Sequence, residues 1–82
     1  MTIQYKPKGV CSTNIEVTVE DGVVKHVQFT NGCNGNTQGV SRLVEGMKAE
    51  DAIAKLKGIQ CGFKGTSCPD QLALALEEAM AI

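Results

Sequence analysis

Eighty-two residues make room for one small domain, and a chain of this size buries only a little over ~60% of the surface its unfolded form exposes. The formal charge is −1, with seven scattered lysines and Arg42 as the single arginine, so the concentrated basic stripe of a nucleic-acid binder is missing. No apolar run approaches the ~20 residues that span a bilayer, and "MTIQYKPKGV" lacks the marks of a signal peptide, so we expect a cytoplasmic protein with reduced thiols.

With no tryptophan, one tyrosine and two phenylalanines, the core has to be aliphatic. Domains this small draw part of their stability from a disulfide, a metal or a partner. Four cysteines supply the means for either of the first two. In a reducing compartment metal binding or thiol chemistry is favoured over disulfides, and sequence selects none of the three pairings that four cysteines allow.

In chain order, "TIQYKP" reads as a short edge strand ended by Pro7, which cannot donate to a ladder. "NIEVTVE" alternates, with Ile15, Val17 and Val19 facing one way and Glu16, Thr18 and Glu20 the other, the pattern of a half-buried strand. Asp21-Gly22 is a two-residue hairpin turn, and "VVKHVQF" returns antiparallel. Val24 is off the parity of Val27 and Phe29, which points to a bulge near that turn.

"TNGCNGN" breaks the strand, and its glycines and asparagines read as loop geometry. A helix follows in which Val40, Leu43, Val44 and Met47 share a face, interrupted at Gly46. A second helix runs from about Ala49 to Lys57 with an apolar stripe of Ala49, Ala52, Ile53 and Leu56, and Gly58 is placed to end it. "IQCGFKGTSC" is extended or looped. Pro69 then suits the first position of a last helix that buries Leu72, Leu76, Ala79 and Met80. Three strands followed by three helices make an α+β fold, a three-stranded antiparallel sheet packed on one face by helices, in a single domain over residues 1–82.

All four cysteines fall at element boundaries, which such a sheet can bring together at one end. Cys11 precedes a strand, Cys33 lies between strand and helix, Cys61 follows a helix and Cys68 opens one. A thiolate near a helix N-terminus is favoured by the exposed N–H groups and the dipole, which suits both ligation and nucleophilicity at Cys33 and Cys68. No C-x-x-C pair is present, and the six-residue gap between Cys61 and Cys68 is not diagnostic of a metal site. The plain alternative is four buried cysteines acting as small hydrophobes.

The pentapeptide "TSCPD" at residues 66–70, with "NGCNGNTQGVSRLVEGM" upstream, resembles the TSCPD-domain family over essentially the whole chain. That domain type is also appended to adenosylcobalamin-dependent ribonucleotide reductases, so the resemblance implies a reductase-associated role. The order of Cys11, Asp21-Gly22, "HVQFTNGC", "LVEGMKAEDA" and "SCPDQLALALEEAM" is similar, more distantly, to the iron–sulfur scaffold fold of the NifU type. In that resemblance Cys11, Cys33 and Cys68 fall at the scaffold's ligand positions. Thr13 stands where the scaffold pattern has an aspartate, Ser67 where many scaffolds have a histidine, and Cys61 has no counterpart. A fourth thiol favours a closed four-sulfur site, with zinc or a tightly held iron centre.

The remaining features read as structural. His26 is a lone histidine on the exposed strand face, and "NGCNGN" lacks the lysine and hydroxyl spacing of a P-loop. Asp70 offsets the positive end of the last helix, Ser67 or Thr66 caps it, and Glu77-Glu78 lie on a solvated face. We therefore expect a metal-binding accessory module with Cys11, Cys33, Cys61 and Cys68 as ligands to zinc, iron or an iron–sulfur cluster. Ser67, Pro69 and Asp70 would support the helix start, and ribonucleotide reductase or another protein would be the partner. The alternatives are a thiol redox partner of the reductase and a metal-free interaction domain. Catalysis of ribonucleotide reduction by so short a chain alone is not expected.

Overall fold

The computed structural model of the chain describes residues 1–10, 12–31, 34–59 and 65–81, with 34–36 described through their backbone alone. Three strands, β1 (Thr2–Tyr5), β2 (Asn14–Glu20) and β3 (Val23–Thr30), form an antiparallel sheet with β2 at its centre. Three helices follow: α1 (Asn34–Val44), α2 (Ala49–Leu56) and α3 (Cys68–Ala81). The α+β layering expected from the sequence is the one observed. No described helix is long and apolar enough to cross a membrane.

The alternation in β2 sets which face of the sheet is covered. Ile15 and Val17 are fully buried, Val19 nearly so, and their cross-strand partners Phe29, Val27 and Val24 lie on the same side. The hairpin turns through Asp21 and Gly22, both with positive φ (53° and 75°), as a type I′ turn requires. Beyond the turn the register slips between Thr18 and Val19: Thr18 faces His26 but Val19 faces Val24. Lys25 is the extra residue, and this bulge lets Val24 point into the core despite its parity.

Helix α3 lies against β1 and β2, α1 against β3, and α2 against α3. Leu72, Ala73, Ala75 and Leu76 are completely buried between sheet and helices. The segment joining α1 to α2 also shields the start of β3. Val24 N–H donates to Met47 O (2.9 Å) and Gly46 N–H to Val24 O (2.8 Å). Ala49 N–H donates to Gly22 O (2.7 Å), so an orphan donor at the start of α2 is satisfied by the hairpin, although Lys48 provides no side-chain cap.

Three local expectations change. Helix α1 already includes Asn34–Gly35–Asn36, where a loop was expected, because tertiary context overrides the weak helix propensity of Asn and Gly. Its inward stripe is Thr37, Val40, Ser41 and Val44, and Leu43 is 77% exposed. At 3.6 residues per turn Leu43 sits about 110° from the centre of that stripe, too far round to reach the sheet. Met80, in the last turn of α3, is 45% exposed, and the buried stripe closes at Ala79.

With so small a core, single truncations weigh heavily. Leu76→Ala should lower unfolding stability by about 2–5 kcal/mol, a large share of the ~5–15 kcal/mol typical of a domain. Leu43→Ala should change it by less than about 0.5 kcal/mol. Urea unfolding followed by circular dichroism compares the two.

Candidate functional site

Helix α3 begins in the sequence "TSCPDQ". Ser67 is its N-cap: the hydroxyl accepts from Asp70 N–H (3.1 Å), and the Ser67 carbonyl accepts the first helical hydrogen bond, from Gln71 N–H (2.9 Å). Cys68 is itself the first helical residue, so Pro69 stands at the second position and not, as expected, the first. The change costs nothing, because each of the first few helical N–H groups lacks an intrahelical partner and proline removes one of them.

These residues also hold other parts of the chain. The Ser67 hydroxyl donates to Ile59 O (2.7 Å). The Asp70 carboxylate accepts from Gly58 N–H (2.6 Å) and from the Thr66 hydroxyl (2.5 Å). Gln71, buried at 6% exposure, donates through Nε2 to Thr66 Oγ1 (2.9 Å) and accepts through Oε1 from Lys8 N–H (3.1 Å). The Tyr5 hydroxyl approaches the same Oε1 at 3.5 Å, the outer limit of a hydrogen bond. Gly9 packs on the motif with φ of 74°, and a Cβ there would lie 3.2 Å from the Thr66 methyl. One helix start thereby clasps residues 5–9 on one side and the end of α2 on the other.

Charge follows from these bonds. The Thr66 hydroxyl, then the Gly58 N–H, hold the Asp70 carboxyl below the ordinary aspartate range, with burial opposing them and Lys57 assisting. Burial, followed by the negative charges of Glu78 and Asp70, holds the Tyr5 hydroxyl above its ordinary value. Lys57 pairs with Glu77 (3.0 Å), an exposed bridge from the end of α2 to α3 that is worth little alone.

Cys68 is half-buried, and its Sγ lies 3.2 Å from the Ser12 hydroxyl, which is only 3% exposed. Cys11, Cys33 and Cys61 lie outside the described residues, but at least one residue within two positions of each is described. Ser12 directly follows Cys11. The next residue, Thr13, donates its N–H to Thr30 O (2.8 Å) and accepts at Oγ1 from the Asn31 amide (3.0 Å), with Asn31 two residues before Cys33. Ile59, two residues before Cys61, is held by Ser67, the neighbour of Cys68. Among the described residues no three His, Cys, Asp or Glu side chains form a metal-binding group.

His26 is nearly half exposed, with Nε2 3.4 Å from Glu16 and Nδ1 3.7 Å from Glu45, whose carboxylate also accepts from Val27 N–H (3.2 Å). It ties the bulge of β3 to the end of α1, and Cys68 is not among its contacts. Sequence reasoning overlooked Gln71 and Ser12. Gln71 had a signal, a lone amide in the otherwise apolar run "QLALAL". Ser12 had none beyond its adjacency to Cys11.

Removing Asp70 tests the clasp. Asp70→Ala should lower stability by about 1–2 kcal/mol near neutral pH, through loss of two charge-assisted bonds on a partly exposed group. Because the folded state holds the Asp70 carboxyl below its unfolded value, this contribution is intact above the ordinary aspartate range and is lost as pH falls through the depressed folded value. Unfolding midpoints of both proteins between about pH 7 and pH 2 should therefore converge at the acid end.

No curated protein and no solved structure matches the chain significantly. Residues 1–80 match the model of the TSCPD domain, whose name repeats the pentapeptide at the centre of the clasp. This small α+β protein belongs to the TSCPD-domain family.

Proposed function

We propose that this chain is a cysteine-based metal-binding module, with Cys11, Cys33, Cys61 and Cys68 holding zinc, iron or an iron–sulfur cluster. The observation that carries the reading is the hydrogen-bonded set around Cys68. Ser12 contacts its sulfur, Thr13 is bonded to Thr30 and Asn31, and Ile59 is bonded to Ser67. Ser12 and Thr13 follow Cys11, Thr30 and Asn31 precede Cys33, Ile59 precedes Cys61 and Ser67 precedes Cys68, so the described sequence neighbours of all four cysteines take part in these bonds, which supports a shared site.

The donor chemistry fits a metal. Four sulfurs suit tetrahedral zinc or an iron–sulfur centre better than any hard cation. Cys68 opens α3, and a buried hydroxyl stands beside its sulfur. A bound metal would supply cross-linking of four chain segments, adding stability that a small aliphatic core lacks. We further propose, from the family's occurrence in adenosylcobalamin-dependent ribonucleotide reductases, that the module serves a reductase or metal handling as an accessory in the cytoplasm. The partial exposure of Cys68 supports a second reading, in which this thiol exchanges with a disulfide of the partner.

Metal quantification and an absorption spectrum of anaerobically purified protein test the proposal. The expected result is stoichiometric zinc in a colourless sample, or iron with broad visible absorption. Chelation should then lower stability by about 4 kcal/mol, the linkage expected for a ligand at a thousand times its Kd. Metal-free protein whose four Cys→Ser variants keep full stability would contradict it. A single thiol alkylated rapidly at neutral pH, with no metal, would favour the redox reading instead.

A further inference from the structure

We infer that Ser12 is a positioning residue for the metal-bound Cys68 thiolate, its hydroxyl donating a hydrogen bond to Sγ; this rests on the reading of Cys68 as a ligand. Ser12 is 3% exposed, and its Oγ lies 3.2 Å from the Cys68 sulfur. In the thiol form either atom can donate. Once a metal displaces the proton the sulfur can only accept, so the Ser12 O–H becomes the donor and has one orientation toward it.

The residues next to both partners of this contact are held by other bonds. Thr13 N–H is locked to Thr30 O at 2.8 Å, which anchors the backbone beside Ser12 to the sheet. Cys68 is anchored from the other side by the Ser67 cap and the bonds of Asp70 and Gln71. Two independently held segments thus meet at an O–H and a sulfur. A hydrogen bond of this kind fixes the rotamer of the ligand and draws charge from the sulfur, as outer-shell partners of metal ligands do. For an iron–sulfur centre the same bond would raise the reduction potential.

The test is competition for zinc against a chromophoric chelator, using the full chain. Ser12→Ala should weaken zinc binding by about 10-fold, the lower end of the loss typical for an outer-shell partner, and Ser12→Thr should restore most of it. In a Cys68→Ser background, Ser12→Ala should cost little more, because the sulfur it serves is gone. Ser12→Gly, which also lacks the hydroxyl, replaces Ser12→Ala if the latter does not fold. Wild-type protein that binds zinc no more tightly than Ser12→Ala overturns the inference while leaving the metal reading intact. So does an equal loss in the Cys68→Ser background, since that marks a purely structural role. Wild-type protein that takes up neither zinc nor iron overturns the metal reading, and this inference with it.

Discussion

The start of α3 is the constraint on which the rest of the molecule depends. A helix N-terminus must find partners for its first N–H groups, and here the residues that provide them also bind distant segments. Ser67 caps the helix and holds Ile59; Asp70 holds Thr66 and Gly58; Gln71 holds Thr66 and Lys8. The energetic asymmetry of buried hydrogen bonds makes this arrangement decisive. Each bond adds only about 1 kcal/mol net, but a buried Gln71 amide left without partners costs about 1–3 kcal/mol, so competing arrangements of the same loops are disfavoured.

That constraint links stability to the proposed chemistry. The core is a thin layer of Ile, Val, Leu and Ala between one sheet face and three helices, with Ile15, Leu72 and Leu76 its largest fully buried members. The polar clasp ties Lys8, after β1, and Gly58 and Ile59, after α2, to the start of α3. Cys68 is part of the helix start and Ser12 leads into the central strand, so their 3.2 Å contact joins the sheet to α3 at the edge of the core. A metal there would reinforce the place where apolar packing gives out.

Much of the fold was legible because its signals are local. Period-two alternation identified β2, Asp21-Gly22 identified the hairpin, and the wrong parity of Val24 announced the bulge at Lys25. Leu43 was misread because helical spacing defines a face without saying which arc the sheet will meet, and Thr37 and Ser41 took the inward positions. The segment from Gly46 to Ala49 that covers β3 was invisible for the same reason, since backbone pairing across the fold leaves no side-chain pattern. In the site, the pentapeptide revealed the helix start, whereas the Ser12–Cys68 contact spans 56 residues and only the fold brings it about. The set of four cysteines as one centre remains a proposal drawn from residue chemistry and from the placement of their sequence neighbours.

The most direct test of that proposal is X-ray absorption at the zinc edge of the zinc-loaded protein, which reports the number, element and distance of the ligands. Ligation by the four cysteines predicts a first shell of four sulfurs at about 2.3 Å. A shell dominated by nitrogen or oxygen at about 2.0–2.1 Å would contradict it.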